Sequence, residues 1–267
     1  MADKVALSAS SVTTFLRCGR QWFYAYVAGI KSPPSLKAAR GIAVHSAVEL
    51  NMRQKIESRI DISLAEVVAR FSDAYDQEIQ DGYQVRAEED PGAIKDAGVG
   101  LVGVYQQQVA PTIQPAIVEH PVRFTINGQD YTGQIDLGQM IPINLHGEPE
   151  YAMELRDTKT TSRSPDASQY TFNMTGYALS SRLDMGQVEA AVVFDYLVAT
   201  KKPYYQEVRS GPITDEQIRA FSDVVGSVAG AIQAGRYVPN GLTARGVCEW
   251  CGYRVICTAY IKNDINK

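Results

Sequence analysis

Tyr151-Ala-Met-Glu-Leu-Arg-Asp-Thr-Lys-Thr-Thr161 has the alternating, β-branched character of a strand, and it carries a carboxylate and an ammonium group two residues apart. Helical spacing follows from about Asp166 to Arg182, after which Val188-Glu-Ala-Ala-Val-Val-Phe-Asp-Tyr-Leu-Val-Ala-Thr200 returns to strand character. This strand–helix–strand unit places the chain in the α/β class. Upstream, residues 115–128 and 130–141 have the look of two more strands, with Asn127-Gly128, a dipeptide suited to a tight hairpin turn, between them. Tyr204–Val208 is a predicted fifth strand.

Toward the N-terminus the spacing of apolar residues becomes helical. Ser8–Ser11 starts a helix predicted to run to about Val27 and stop near Gly29; Lys31–Lys37, with Pro33-Pro34, is a connector. A second helix begins near Leu36, and amphipathic stretches at about Ile62–Gln80 and Pro91–Gln108 follow. After the strands, Thr214–Ala234 is a predicted helix with Asp215 and Glu216 in its first turn, where the helix dipole favours them. The tail from Val238 is irregular. The expected organisation is a single domain over residues 1–267: a helical part (1–110), a sheet core with the active site (111–210), and a final helix and tail (211–267).

Composition narrows the classes. Of 267 residues, 45% are apolar and 21% charged, as in ordinary globular proteins. No apolar run approaches the roughly 20 residues that cross a bilayer, so no membrane role is expected. A net charge of −4 argues against non-specific coating of nucleic acid, though an acidic metal site and a basic groove can share one surface. The 15 tyrosines against 7 phenylalanines suit either base stacking or the polar-tipped edge of a core.

Chemistry concentrates in the middle strands. Asp157 and Lys159 share one strand face because side chains alternate with period two. If Asp136, in Gly133-Gln-Ile-Asp-Leu137, comes from the adjacent hairpin strand, two carboxylates converge on a site for a hard divalent cation such as Mg²⁺ or Mn²⁺. The other reading is a surface Asp157–Lys159 pair with Asp136 capping a turn. Glu154 has the opposite strand parity from Asp157 and suits a salt bridge or peripheral contact. His45 lies in an apolar helical face, either as a ligand or as a hydrogen-bonded core residue, and Gly41 one turn back leaves room beside it. Gln169, Asn173 and Tyr177 share a helix face that could line a nucleic-acid groove or form a solvated edge.

All four cysteines sit near the chain's ends: Cys18 alone, then Cys248, Cys251 and Cys257 as C-x2-C-x5-C. Four thiolates suit zinc or an iron–sulfur cluster. Isolated Cys18 and Cys257 depart from the paired knuckles of a zinc ribbon. Disulfides need an oxidising compartment, which the start MADKVALSAS does not signal, and unligated buried thiols are the remaining reading.

In chain order, LSASSVTTFLRCGRQWFYAYVAGI (7–30), GIAVHSAVE (41–49), GQIDL (133–137), LRDTKTT (155–161) and the C-x2-C-x5-C run together resemble the RecB-like, iron–sulfur branch of the PD-(D/E)xK nucleases. That branch includes the CRISPR-adaptation nucleases, the nuclease domain of AddB and single-domain phage or bacterial exonucleases. The resemblance spans Leu7 to Cys257. It implies a restriction-endonuclease-like core, a central mixed sheet flanked by helices, with an N-terminal helical layer and a cysteine-rich tail. It implies a metal-dependent exonuclease on single-stranded DNA ends, with Asp136, Asp157 and Lys159 catalytic. His45, Asp136, Asp157 and the Thr158 carbonyl would hold Mg²⁺ or Mn²⁺, and Cys18, Cys248, Cys251 and Cys257 a structural 4Fe–4S cluster. The family commonly has Gln-x3-Tyr on the next helix; here Asn173 precedes Tyr177, with Gln169 a turn earlier, so the DNA contact passes to this trio. Arg17, Arg20, Arg40 and Arg163, near the motifs in sequence, are the expected phosphate contacts. The alternative is a non-catalytic DNA-binding or adaptor protein on the same fold. The expected setting is bacterial or host cytoplasm, with a helicase, recombinase or CRISPR-type protein as a conceivable partner.

Overall fold

A computed structural model describes residues 6–84, 89–145, 148–163, 171–240, 246–249 and 251–257. In chain order the helices are α1 (Ala9–Arg17), α2 (Gly19–Trp22), α3 (Leu36–Ser58), α4 (Leu64–Gln80) and α5 (Pro91–Val104), then α6 (Thr171–Asp184) and α7 (Asp215–Gln233). The strands are β1 (Pro115–Ile126), β2 (Gln129–Leu145), β3 (Glu148–Thr161), β4 (Glu189–Val198) and β5 (Tyr204–Ser210). They form one mixed sheet in the order β1-β2-β3-β4-β5. β2 and β3 are antiparallel, from Leu137–Arg156 to Leu145–Glu148. β3 and β4 are parallel, from Met153–Glu189 to Thr161–Val198, because the connection through α6 returns the chain to the same end of the sheet. β4 and β5 are again antiparallel.

Contacts cluster in two units, Pro34–Phe124 with Gly133–Ile218, and Met1–Pro33 with Thr125–Thr132 and Arg219–Lys267. In the larger unit, Ala39, Ala43, Val44 and Ala47 of α3 pack with Val67, Phe71 and Tyr75 of α4, Leu101 and Val102 of α5, and Leu137 and Leu197 of the sheet. Small side chains on α3 permit this close helix packing. Gly98 of α5 completes it, since a Cβ there would lie 2.1 Å from the Phe71 ring. A second apolar cluster joins Met174 and Ala178 of α6 to Ile135, Leu155, Val192, Phe194 and Tyr196. Removing each such large side chain from water stabilises the fold by roughly 1.5–3 kcal/mol.

β3 also carries a buried ionic network. Arg156 donates to Asp195 Oδ2 at 2.9 Å, Asp195 Oδ1 at 2.6 Å and Glu154 Oε1 at 2.5 Å, and Arg209 pairs with the second Glu154 oxygen. Glu154 is therefore ion-paired as the sequence suggests, but in the core rather than at the periphery.

In the smaller unit, the long first helix expected from the sequence is broken. Cys18 is extended (φ −164°, ψ 112°) between α1 and α2, and Phe23–Val27 forms a π-helical turn. Asn240 makes the break tolerable by donating to the freed Leu16 and Arg17 carbonyls at 2.9 and 3.0 Å. The helix expected over Pro91–Gln108 likewise widens into a π-turn at Tyr105–Val109. The predicted start at Asp166 lies outside the described residues, and α6 is seen from Thr171.

Candidate active site

The site belongs to the larger unit and draws on α3, α6, β1, β2 and β3. Ser35 caps α3 by accepting from the Ala38 N–H at 3.2 Å, and α3 then brings His45 to the sheet. Gly41 sets how closely: a Cβ there would lie 3.3 Å from Thr160 Oγ1 on β3. β2 supplies Asp136 and β3 supplies Asp157 and Lys159. The β2–β3 ladder ends at Leu137–Arg156, so the same register sets Asp136 across from Asp157 where the two strands part.

His45 Nδ1 lies 3.5 Å from Asp136 Oδ2. That carboxylate oxygen is buried and has no hydrogen-bond partner among the described residues. Tyr177, on α6, donates to the other oxygen at 3.4 Å. The Thr158 main chain serves both neighbours, its N–H hydrogen-bonding Asp136 and its carbonyl accepting from His45. Lys159 Nζ straddles the Asp157 carboxylate, 2.7 Å from Oδ1 and 2.6 Å from Oδ2. With Asp157 at 0% exposure, this is a buried pair and not a surface salt bridge.

One candidate ligand was not legible in the sequence. Glu119 of β1 joins His45 and Asp136 in a group whose ligand atoms all lie within 4.8 Å of one another. Its backbone is left-handed (φ 48°), uncommon for a non-glycine residue inside a strand, and Ile117 and Val122 on either side of it pack against the same apolar cluster although five residues apart, an odd spacing for one strand face. Pro121, two residues on, is the signal that this strand is irregular.

The electrostatics call for a cation. Burial and the neighbouring Asp136 push Asp157 up to about 7. Burial, followed by Asp136 and Glu49, pushes Glu119 up to about 7. Burial also raises Asp136. His45 is shifted the other way, lowered by burial and by Lys159, which keeps its imidazole neutral and able to ligate. Three acids, a neutral imidazole and an orphaned buried oxygen fit a hard divalent ion, whose charge would reverse these shifts.

Of the other candidates, Asn173 is partly buried on α6, and Gln169 lies outside the described residues. Arg17 and Arg163 are exposed and Arg20 is half-buried. Arg40 corrects an expectation. It is 3% exposed near Tyr75, and burial lowers its pKa, so it offers no surface to a phosphate.

The four cysteines meet in the smaller unit. Cys18, Cys248, Cys251 and Cys257 ring a cavity also lined by Tyr24, Tyr253 and Arg254. Burial and the neighbouring thiols raise the Cys248 and Cys251 pKa values.

Among solved structures, the "Putative exonuclease" of Eubacterium rectale matches with a TM-score of 0.59 and 13% identity over 98% of this chain and 91% of that one, a likeness of fold. No curated protein matches the chain. No helix among the described residues is long and apolar enough to cross a membrane. The model of the PD-(D/E)XK nuclease superfamily matches residues 6–258, and the chain therefore belongs to that superfamily.

Proposed function

We propose that the protein is a divalent-metal-dependent deoxyribonuclease of the RecB-like, iron–sulfur branch, acting as an exonuclease on single-stranded DNA ends. The observation that carries this reading is the convergence of His45, Glu119 and Asp136 beside the buried Asp157–Lys159 pair. A divalent ion held by His45, Asp136, Asp157, the Thr158 carbonyl and Glu119 would polarise a phosphoryl oxygen and acidify a water.

The protein's own groups do the rest. Tyr177 orients Asp136. Asp157 holds the Lys159 ammonium at the parting of the strands, where it can position the attacking water and stabilise charge developing on phosphate. The intact acidic set favours catalysis over the adaptor alternative. Asn173, Gln169, Arg17, Arg20 and Arg163 are the proposed DNA contacts.

A cavity lined by all four cysteines, with Cys18 and Cys257 isolated in sequence rather than paired as in a zinc ribbon, supports a 4Fe–4S cluster in this reading. Reduced thiols suit a cytoplasmic setting. A helicase, recombinase or CRISPR-type protein is a compatible partner.

The test uses 5′- and 3′-labelled single and double strands with Mg²⁺ or Mn²⁺. Stepwise shortening of single strands is expected, and it should vanish in Asp157→Ala and Lys159→Ala. Undiminished metal-dependent cleavage by both purified variants would sink the site assignment.

A further inference from the structure

The smaller unit is basic within an acidic chain. Residues 1–33, 125–132 and 219–267 carry ten lysines and arginines against five aspartates and glutamates, whereas the whole chain has 26 against 30. No acidic residue occurs between Lys4 and Val48. Local positive charge on an otherwise negative protein is the footprint of a polyanion site.

On this unit an aromatic stack ends in solvent. Gly19 permits its assembly: a Cβ there would lie 2.8 Å from Val238 N, and the Gly19 N–H donates to the Val238 carbonyl at 2.9 Å. That backbone contact seats Tyr237 on Trp22, with ring centroids 5.9 Å apart and planes 14° from parallel. Tyr26 also stacks on Trp22, at 5.2 Å and 23°. The Arg20 guanidinium lies over Phe23 at 5.7 Å, and Phe23 leans on Tyr237 at 5.1 Å. Trp22 is fully buried while Tyr26 is 41% exposed. The turn presenting Tyr26 is π-helical, closed by the Ala28 N–H donating to the Phe23 carbonyl at 2.9 Å, a geometry enriched at functional sites. A rigidly backed, solvent-facing ring on a cationic unit matches single-stranded nucleic acid, whose bases offer π-faces between charged phosphates.

We infer that Tyr26, backed by Trp22 and Tyr237, is a stacking platform for a base of the single strand, with exposed Arg17 and Lys31 of the same segment meeting its phosphates. The inference rests on the nuclease reading and adds how the strand is held. A duplex keeps its bases stacked inside and cannot use such a platform.

The test is anisotropy of labelled oligothymidylate with the full chain and no divalent ion, so that nothing is cut. Tyr26→Ala should weaken binding about 5- to 100-fold with an unchanged melting temperature, and Tyr26→Phe should restore it. An abasic strand of equal length should bind the wild-type protein as weakly as oligothymidylate binds Tyr26→Ala, and should not distinguish the two proteins. Unchanged oligothymidylate binding by folded Tyr26→Ala overturns the platform, as does equal loss for both strands. Tyr26-dependent displacement of the oligonucleotide by anionic phospholipid vesicles overturns it too, pointing to a lipid surface. If the nuclease reading fails, the wild-type protein with Mg²⁺ or Mn²⁺ leaves the same oligonucleotide whole, which is a separate measurement.

Discussion

Asp136 and Asp157 face each other on the first rung beyond the β2–β3 ladder, whose last pair is Leu137 and Arg156. Two carboxylates opposed at the end of a ladder repel unless a cation lies between them. Lys159 supplies part of that charge; burial still raises both acids, and Asp136 raises Asp157 further.

Asp157→Asn should therefore raise the melting temperature of the metal-free protein at pH 8, because an uncompensated buried charge is removed. The same variant should lose the stabilisation that Mn²⁺ gives the wild type, and cleavage should fall by about 10³-fold. Thermal melts with and without Mn²⁺ check the first two effects. A lower metal-free melting temperature in the variant would count against the electrostatic account.

Asp157 and Glu119 titrate near 7 when folded, whereas free carboxyls titrate near 4. Between about pH 4 and 7 the folded protein thus binds more protons than the unfolded chain, so metal-free stability should decline as pH rises through that window and level off above it. Divalent ions compete with those protons, and their affinity should rise as pH passes 7. Calorimetry in buffers of different ionisation enthalpy should detect proton release on Mn²⁺ binding, with Glu119→Gln releasing fewer protons and binding more weakly.

Arg156→Met should cost about 3–5 kcal/mol, since Glu154 and Asp195 would remain buried without their partner. Urea denaturation measures it. Replacing Glu154 and Asp195 as well with apolar residues of similar volume should recover most of the loss.

Cys18→Ser should bleach the broad absorption near 400 nm expected of a cysteine-held cluster and lower the melting temperature. Iron analysis and spectroscopy of anaerobically purified protein provide the readout. A colourless wild type containing one equivalent of zinc would refute the cluster.

Much of the site could be read in advance where local rules hold. Period-two alternation placed Asp157 beside Lys159, and the Asn127-Gly128 turn put Asp136 on the neighbouring strand. Glu119 escaped because a left-handed residue reverses strand parity, which only the neighbouring strand's geometry reveals. The break at Cys18 escaped because its compensation comes from Asn240, more than two hundred residues away. Arg40 misled because nearness to a motif in sequence says nothing of which helix face a residue occupies.

The cysteine cavity also has a consequence for biosynthesis. Cys18 and the Cys248–Cys257 run are separated by more than two hundred residues, so the cavity can form only after everything between them, His45 through Lys159 included, has been synthesised. Whatever fills the cavity must therefore be loaded after synthesis has passed Cys257. A chain cut short after Lys159 would contain His45 through Lys159 but lack three of the four cysteines, so loading acts as a check that the chain has been made at least to Cys257.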